Sequence, residues 1–302
     1  DVLNLETGDF NADFTGTLIE ANGPLVVFSG SEASDAPTFT SLSKRFCCAD
    51  HLEEQIDPIR TAGTQFVAAH GPSRTRTVAS AGAQLAVIPE PDYFRVVAVF
   101  EGETTVSTTL PPPEDSFVLS GRGAFRTIEA THDFMIFSNA PVVLGNVSPS
   151  QEAAGIRRGL PGGDPSLLVV PPIEQWRSDY VFLTPDKYAF DFLTVVAPPN
   201  VEVTLDGETL TADLCEIAPA DGLEPSQRGG APPPFLVYRS HHSFATIDPT
   251  KSAPANLLPD EQNDGVHRVS APVPVGVLVS GFDSFVSYSY AAGTQLKELT
   301  LR

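Results

Sequence analysis

The groups in this 302-residue chain that could do chemistry are three cysteines, six histidines and 38 acidic side chains. Cys47 and Cys48 are adjacent and Cys215 lies far downstream, with no Cys-x-x-Cys or Cys/His spacing of a metal site. A bridge from either neighbour to Cys215 would close a loop of roughly 165 residues, worth about 5 kcal/mol in chain entropy. Three reduced, buried thiols are the alternative. His241-His242 ends a strand pattern, where successive side chains face opposite ways, so the pair is not read as chelating one metal. His51 reads as a structural histidine. Asp260-Glu261-Gln262-Asn263-Asp264-Gly265 gathers hard oxygens beside a glycine, which makes Asp260 and Asp264 the calcium candidates. The run lacks the EF-hand spacing that ends on a bidentate Glu, and a solvated acidic turn is the plainer reading. Ser29 and Ser280 fall short of the Gly-x-Ser-x-Gly elbow of a hydrolase and read as turn residues at strand ends. Gly163-Asp164-Pro165-Ser166 has three residues of a Gly-Asp-Pro-His self-cleavage sequence but no histidine, and reads as a tight turn into a strand at 167–170. Asn146-Val147-Ser148 is a formal glycosylation sequon. A carbohydrate-active site would need two carboxylates across one cleft at roughly 5–10 Å, and no pair stands out among so many. No catalytic residue is assigned, no cofactor beyond calcium is considered, and the ligand-binding residues are unknown.

Charge narrows the partners. The net charge is −20, which repels nucleic-acid phosphates and anionic lipid alike. No stretch reaches the 18 or so apolar residues of a membrane span, so no membrane insertion is expected. The chain begins on Asp1 without a basic and then apolar leader, and is read as a processed or excised segment.

What must position any site is a β scaffold. Short apolar alternations bounded by Pro, Gly, Asn or Asp recur at 24–30, 93–100, 116–121, 133–138, 141–147, 179–183, 191–197, 201–207, 235–240 and 275–282. The one helical turn expected is 49–56, with Asp50 as cap and Glu53 three residues on. Ile56-Asp57-Pro58-Ile59 is echoed 114 residues later by Val170-Pro171-Pro172-Ile173, with Phe66 and Val67 falling on Tyr180 and Val181. The flanks repeat as well. Asn22-Gly23-Pro24-Leu25 matches Asn139-Ala140-Pro141-Val142, Ala271-Pro272-Val273 gives a third echo, and 92–106 parallels 190–205. The expected fold is therefore all-β, a single module of two pseudo-repeated sandwich-like units at about 10–113 and 114–234. A partial third copy and closing strands would fill 235–302, and a small β-propeller is the alternative. Trp176, which stands where the first copy has Ala62, reads as a core residue. Two Pro/Gly-rich loops, 212–234 and 248–265, are expected to be exposed.

With these motifs in hand, the chain resembles the N-terminal domain family of IgG-Fc-binding proteins. The matching segments run in order along nearly the whole chain. They are V-V-F-S-G at 26–30, the Cys-x-Asp-His-Leu-x-Glu-Gln stretch from Cys48, G-T-Q-F-V at 63–67, G-D-P-S-L-L-V-V-P-P-I-E-Q at 163–175, V-T-L-D-G at 203–207 and S-G-F-D-S-F-V-S-Y-S-Y-A-A-G at 280–293. The loop at 30–37 departs from the pattern by lacking the cysteine many relatives carry there, so the resemblance assigns Cys48 no partner.

The resemblance implies a secreted or cell-surface, non-enzymatic β module that binds an extracellular protein or glycan, and does not extend to immunoglobulin itself. The alternative is a structural subunit or spacer of a larger extracellular assembly, in which self-association replaces ligand binding.

Overall fold

In the computed structural model, which describes residues 1–45, 47–248 and 257–299, Pro58 and Pro172 occupy the same local structure. Both are extended (φ −60°, ψ 139° and φ −65°, ψ 157°), and each introduces one 3-10 turn, Ile59–Thr61 and Ile173–Gln175. Each proline carbonyl accepts a hydrogen bond at 2.9 Å, from Thr61 N and Gln175 N. A residue with φ fixed near this value and no N–H to satisfy suits the entry to such a turn.

A ribbon of β1 (Phe28–Ser34) and β2 (Asp50–Gln55) precedes the first turn. After it come β3 (Gly63–Ala68), helix α1 (Arg74–Ser80), β4 (Asp92–Ala98), β5 (Glu103–Thr108), β6 (Ser116–Ser120), β7 (Phe125–Ala130), β8 (Phe134–Val147) and β9 (Leu167–Val170). The second turn leads into β10 (Arg177–Thr184), β11 (Phe190–Ala197), β12 (Thr204–Leu205), β13 (Glu208–Thr209), β14 (Glu216–Pro219) and β15 (Leu236–Ser243). The chain continues through β16 (Ala245–Ile247), β17 (Leu257–Pro259), β18 (Gly265–Asp283) and β19 (Val286–Ala291).

The pairing is duplicated. The first half of β8 takes β3 and β5, and its second half takes β4 and β9. Strand β18 does the same with β10 and β12, then with β11 and β19. Register repeats too: Phe66 faces Ile136 as Tyr180 faces Val269, and Val96 faces Leu144 as Val195 faces Val277. A sheet hung on one long shared strand curls around what it encloses. One buried cluster, including Phe94, Phe134, Ile136 and Leu144, fills the first unit, and another, including Leu193, Val195, Val269 and Val277, fills the second. The chain is all-β as expected, in two curled sheets rather than propeller blades.

Three expectations need correcting. Strand pairing puts the units at 58–170 and 172–291, not at 10–113 and 114–234. The echo at 271–275 is the second unit's own long strand and no partial third copy, since Val275 pairs with the first residue of β10 as Val142 pairs with that of β3. The Asn22-Gly23-Pro24 echo lies in coil outside both units. Second, 49–56 is strand, not a helical turn. It pairs with β1 and buries only Leu52, while the α-helix falls at Arg74–Ser80, capped by Ser73 Oγ accepting from Arg76 N. Third, the 212–234 loop is partly ordered inward: it contains β14 and a shielded ion pair, Asp221–Arg228, at 2.8 Å. Of the 248–265 loop, 249–256 lies outside the described residues, and 257–259 is β17.

Between the units lies a joint core. Val67, Ala69 and Met135 of the first pack with Trp176, Val196, Ala220 and Val237 of the second, and Trp176 is 5% exposed. Thr61 O accepts from Gln175 Nε2 at 2.9 Å, a contact between residues 114 positions apart, which is the repeat offset itself. Equivalent positions touching each other mark a pseudo-two-fold axis, as in a fused isologous dimer. Beside it, Gly63 lets β3 run against the other motif, where an added Cβ would sit 2.3 Å from Pro172 Cβ.

Candidate functional site

Away from that axis, the seam between the units gathers carboxylates and tyrosines. Its foundation is the linker that joins β8 to β9. Arg74, fully enclosed, donates to Pro149 O (3.0 Å), Gly162 O (3.1 Å), Asp164 O (3.1 Å) and Ser148 Oγ (2.8 Å). Glu90 holds the start of α1 by accepting from Arg74 N at 3.0 Å and Thr75 N at 2.7 Å. The far end of the linker docks on the β18–β19 turn, with Gly163 N donating to Asp283 O (2.9 Å) and Asp164 N to Ser287 Oγ (3.0 Å).

On this foundation stand three half-buried tyrosines. Tyr288 and Tyr290 alternate along β19 and so share a face, with rings stacked at 6.2 Å. Tyr188, from the β10–β11 loop, meets Tyr288 edge-on at 4.8 Å. Tyr288 donates to Asp191 Oδ1 at 2.6 Å, and Tyr290 to Leu183 O.

The duplication shows what is special here. Asp191 is the counterpart of Asp92, since Phe94 and Leu193 hold matching places in β4 and β11. In the first unit Asp92 is satisfied by Gly71 N at 2.7 Å, with His70 Nε2 3.8 Å away. In the second, Asp191 Oδ2 is buried without a hydrogen-bond partner; Asp164 Oδ1, from the first unit's own linker, is buried and unpartnered too. A buried polar atom left unpaired costs on the order of 1–3 kcal/mol, more when charged. None of the ion pairs among the described residues involves Asp50, Asp164, Asp191 or Asp283.

Electrostatics follow from this. Burial, reinforced by Asp50, pushes Asp164 up to about 7. Burial pushes Asp191 up to about 6, with Tyr288 and Ser243 opposing and Asp264 and Asp283 adding. Asp283 is raised by burial. Tyr188 is the common neighbour: burial raises its hydroxyl, and then Asp164, Asp50, Asp191 and Asp283 all do so. The seam is thus an acidic, tyrosine-walled basin formed from β2, the linker, the β10–β11 loop, β11 and the β18–β19 hairpin. A cleft that shares Tyr288 with it, lined also by His70, Arg74, Asp92, Asn146 and Ser280, is only 60 Å³. That is room for a water or two, against the roughly 300–1,000 Å³ of a pocket that engulfs a small molecule.

Most residues singled out in the sequence fall elsewhere, apart from Asp164 and from Asn146 and Ser280, which line the small cleft. Asp164-Pro165 does lead into β9, and Asp164 belongs to the basin. Asp264 accepts from Ser243 Oγ at 2.9 Å, whereas Asp260 is exposed. Among the described residues no three Asp, Glu, His or Cys side chains converge on one metal-sized point. His241 and His242 do face opposite ways, His241 outward and His242 only 1% exposed, edge-on to His267 at 4.6 Å. His51 is not a structural histidine: it is exposed, 3.6 Å from Glu53. Ser29 and Ser280 lie inside β1 and β18 rather than in turns, and Asn146 is buried within β8.

The bridge to Cys215 is not formed. Cys215 is a free, buried thiol in the second unit's core, while Cys47 is bonded to Cys48 beside the linker. Two contacts fix that placement, Glu152 N to Cys47 O at 2.8 Å and Cys47 N to Glu152 Oε2 at 2.6 Å. The tyrosines and Asp191 were missed by sequence reasoning. Their signals were the Tyr-x-Tyr alternation at 288–290 and the Asp repeated near the start of β4 and β11.

A family model described as IgGFc binding protein covers residues 1–281 of the chain. No curated protein and no solved structure matches it. Among the described residues no helix is long and apolar enough to cross a membrane.

Proposed function

The chain belongs to the IgGFc-binding protein family, and from that premise we propose that it is an extracellular, non-enzymatic recognition module. Its contact face is the tyrosine-walled acidic basin of the seam. The observation that carries this reading is the divergence between the two copies: Asp92 is closed by Gly71, while its counterpart Asp191 keeps a spare acceptor, as does Asp164 of the first unit's linker. Uncompensated polar groups held in place by their surroundings are commoner at working sites than in scaffolds. Half-buried tyrosines add rigid contact area with few rotamers to lose.

Carboxylates raised to about 7 and about 6 would also suit acid–base chemistry. Against that stands access, since Asp164 and Asp191 are 1% and 0% exposed, which leaves a sugar ring no route to either carboxyl. A partner would be met at the surface, and the sign of the charge points to an extracellular protein with a basic face.

The test is a binding panel of extracellular proteins and glycans against the intact chain and its Tyr188→Ala and Tyr290→Ala variants. At least one ligand should bind the parent and lose about tenfold in both variants, as central aromatic contacts do. Binding that ignores both substitutions, or turnover of any glycan in the panel, would refute the assignment.

One feature favours a second reading, a spacer that self-associates. The 1–27 arm has no regular structure and exposes Val2, Leu3, Leu5, Phe10, Ile19 and Val26. Such apolar coil invites pairing with another copy. Sedimentation over a hundredfold range of concentration decides it: a dimer that disappears when 1–27 is removed supports the spacer, and a constant monomer excludes it.

A further inference from the structure

We propose that the seam basin is a receptor for a cationic side chain of a protein partner, with the arginine guanidinium as its preferred occupant. The inference rests on the basin being the contact face and specifies what enters it.

Four carboxylates, Asp50, Asp164, Asp191 and Asp283, surround Tyr188, and none has an ion-pair partner among the described residues. Two of them, Asp164 and Asp191, are more than nine-tenths buried and keep an oxygen with no hydrogen bond. The nearest cation, Arg74, spends its guanidinium on main-chain carbonyls and Ser148 rather than on a carboxylate oxygen. Lys187 on the rim is 87% exposed and loosely paired with Asp186 at 3.6 Å. Arg74 offsets part of the charge on Asp164, and Asp50 shares a hydrogen bond with it, so the surplus of negative charge under the three tyrosine rings is complete only above about pH 7, where Asp164 is ionised.

Three kinds of occupant could fill it. A metal ion needs several oxygens converging on one point, and no such group exists among the described residues. An ammonium would be drawn in as a point charge. A guanidinium does more: its plane lies against the exposed face of Tyr188 or Tyr290 while its N–H groups reach the half-exposed Asp50 and Asp283. The buried charges of Asp164 and Asp191 act on it from below, where water does not screen them. A net charge of −20 draws basic partners towards the surface before any contact forms.

The experiment titrates the intact chain at pH 8 and low salt with N-acetyl-arginine amide. Its neutral isostere, N-acetyl-citrulline amide, serves as control, and binding is read from tyrosine and amide NMR shifts. The arginine compound should bind with a dissociation constant of about 10 mM or better, and the citrulline compound at least tenfold more weakly. Asp164→Asn combined with Asp191→Asn should abolish the difference, while leaving the chain folded by circular dichroism, because each substitution removes a charge that burial disfavours. Tyr188→Ala should weaken arginine at least fivefold. Equal binding of the two compounds, arginine binding unchanged in the Asn double variant, or no arginine binding at all would overturn the proposal. A protein partner that needs Tyr188 and Tyr290 but is not competed by the arginine compound would leave the recognition role standing and remove the cation as its basis. Arginine binding at the basin without any partner that depends on it would do the reverse.

Discussion

Trp176→Ala lowers the unfolding free energy by roughly 3–5 kcal/mol, the usual cost of emptying a large aromatic site in a packed core. The indole is the centrepiece of the joint core, packed among Val67 and Met135 of one unit and Val196 and Val237 of the other. Phe235 meets it edge-on at 5.2 Å. Gly276 lies so close beneath that an added Cβ would come within 2.9 Å of the ring. Backbone that close on one side cannot collapse far into the void, which places the loss towards the upper end. The carbonyl of Trp176 also accepts from Gln295 Nε2 at 2.6 Å, so loosening the turn frees the C-terminal segment as well. Trp176→Phe keeps most of the apolar contact and should cost less than half as much. Denaturant titration by far-ultraviolet circular dichroism measures both. A loss below about 1 kcal/mol for the alanine variant would mean that the units do not depend on each other through this residue.

The strand content was legible because strands such as β4 alternate inward and outward residues, from Asp92 to Ala98, while β11, buried throughout, reads as a short apolar run. The duplication was legible too, since Pro58 and Pro172 start the same turn. Its phase was not. Pro141 made β8 look like two strands, 133–138 and 141–147, when it marks the place where one continuous strand changes partners from β3 and β5 to β4 and β9. Taking the second half of β8 as the start of a copy, rather than its end, displaced every boundary and turned β18 into a supposed third repeat. Helix α1 was hidden for another reason. Its buried face carries Arg74, Thr75, Thr77 and Val78, and that mostly polar set gives no apolar stripe to read. The seam was beyond reach in principle. Asp50, Asp164, Asp191 and Asp283 come from four separate segments and share Tyr188 as a neighbour only after the units dock. What the sequence did carry was the acidity itself, without the geometry that concentrates it.

That concentration makes stability rise on mild acidification, against the habit of acid-sensitive proteins. Asp164 and Asp191 ionise at about 7 and about 6 in the fold, compared with 3.8 unperturbed, and Glu54 at about 7 compared with 4.5, in each case chiefly through burial. The unfolded chain gives up these protons at lower pH, so the fold carries its full penalty above pH 7 and sheds it as pH falls towards 4. His242 works the other way. Burial, then His267, lowers it from 6.5 to about 4, so the unfolded chain takes up its proton first and stability falls between those values. His241, lowered by burial as well, adds to His242, while Asp57 and Asp283, raised by burial, add to the carboxylates; the carboxylates outweigh the two imidazoles, and the unfolding midpoint should be higher at pH 5 than at pH 8. Below about pH 4 the trend reverses, because Glu152, bonded by Cys47 N, and Asp13 and Asp206, whose hydrogen bonds overcome burial, are held below their ordinary values and lose that advantage once protonated. Two variants separate the contributions. Asp164→Asn should stabilise the chain at pH 8 by roughly 2–3 kcal/mol once solvent screening is allowed for, and flatten the rise towards pH 5. His242→Phe should steepen that rise. Thermal denaturation at pH 8, 7, 6 and 5 reads all three chains. A parent less stable at pH 5 than at pH 8, or an Asp164→Asn variant less stable than the parent at pH 8, would mean that the seam carboxylates are compensated, and with that the reason for a cation to bind there would be gone.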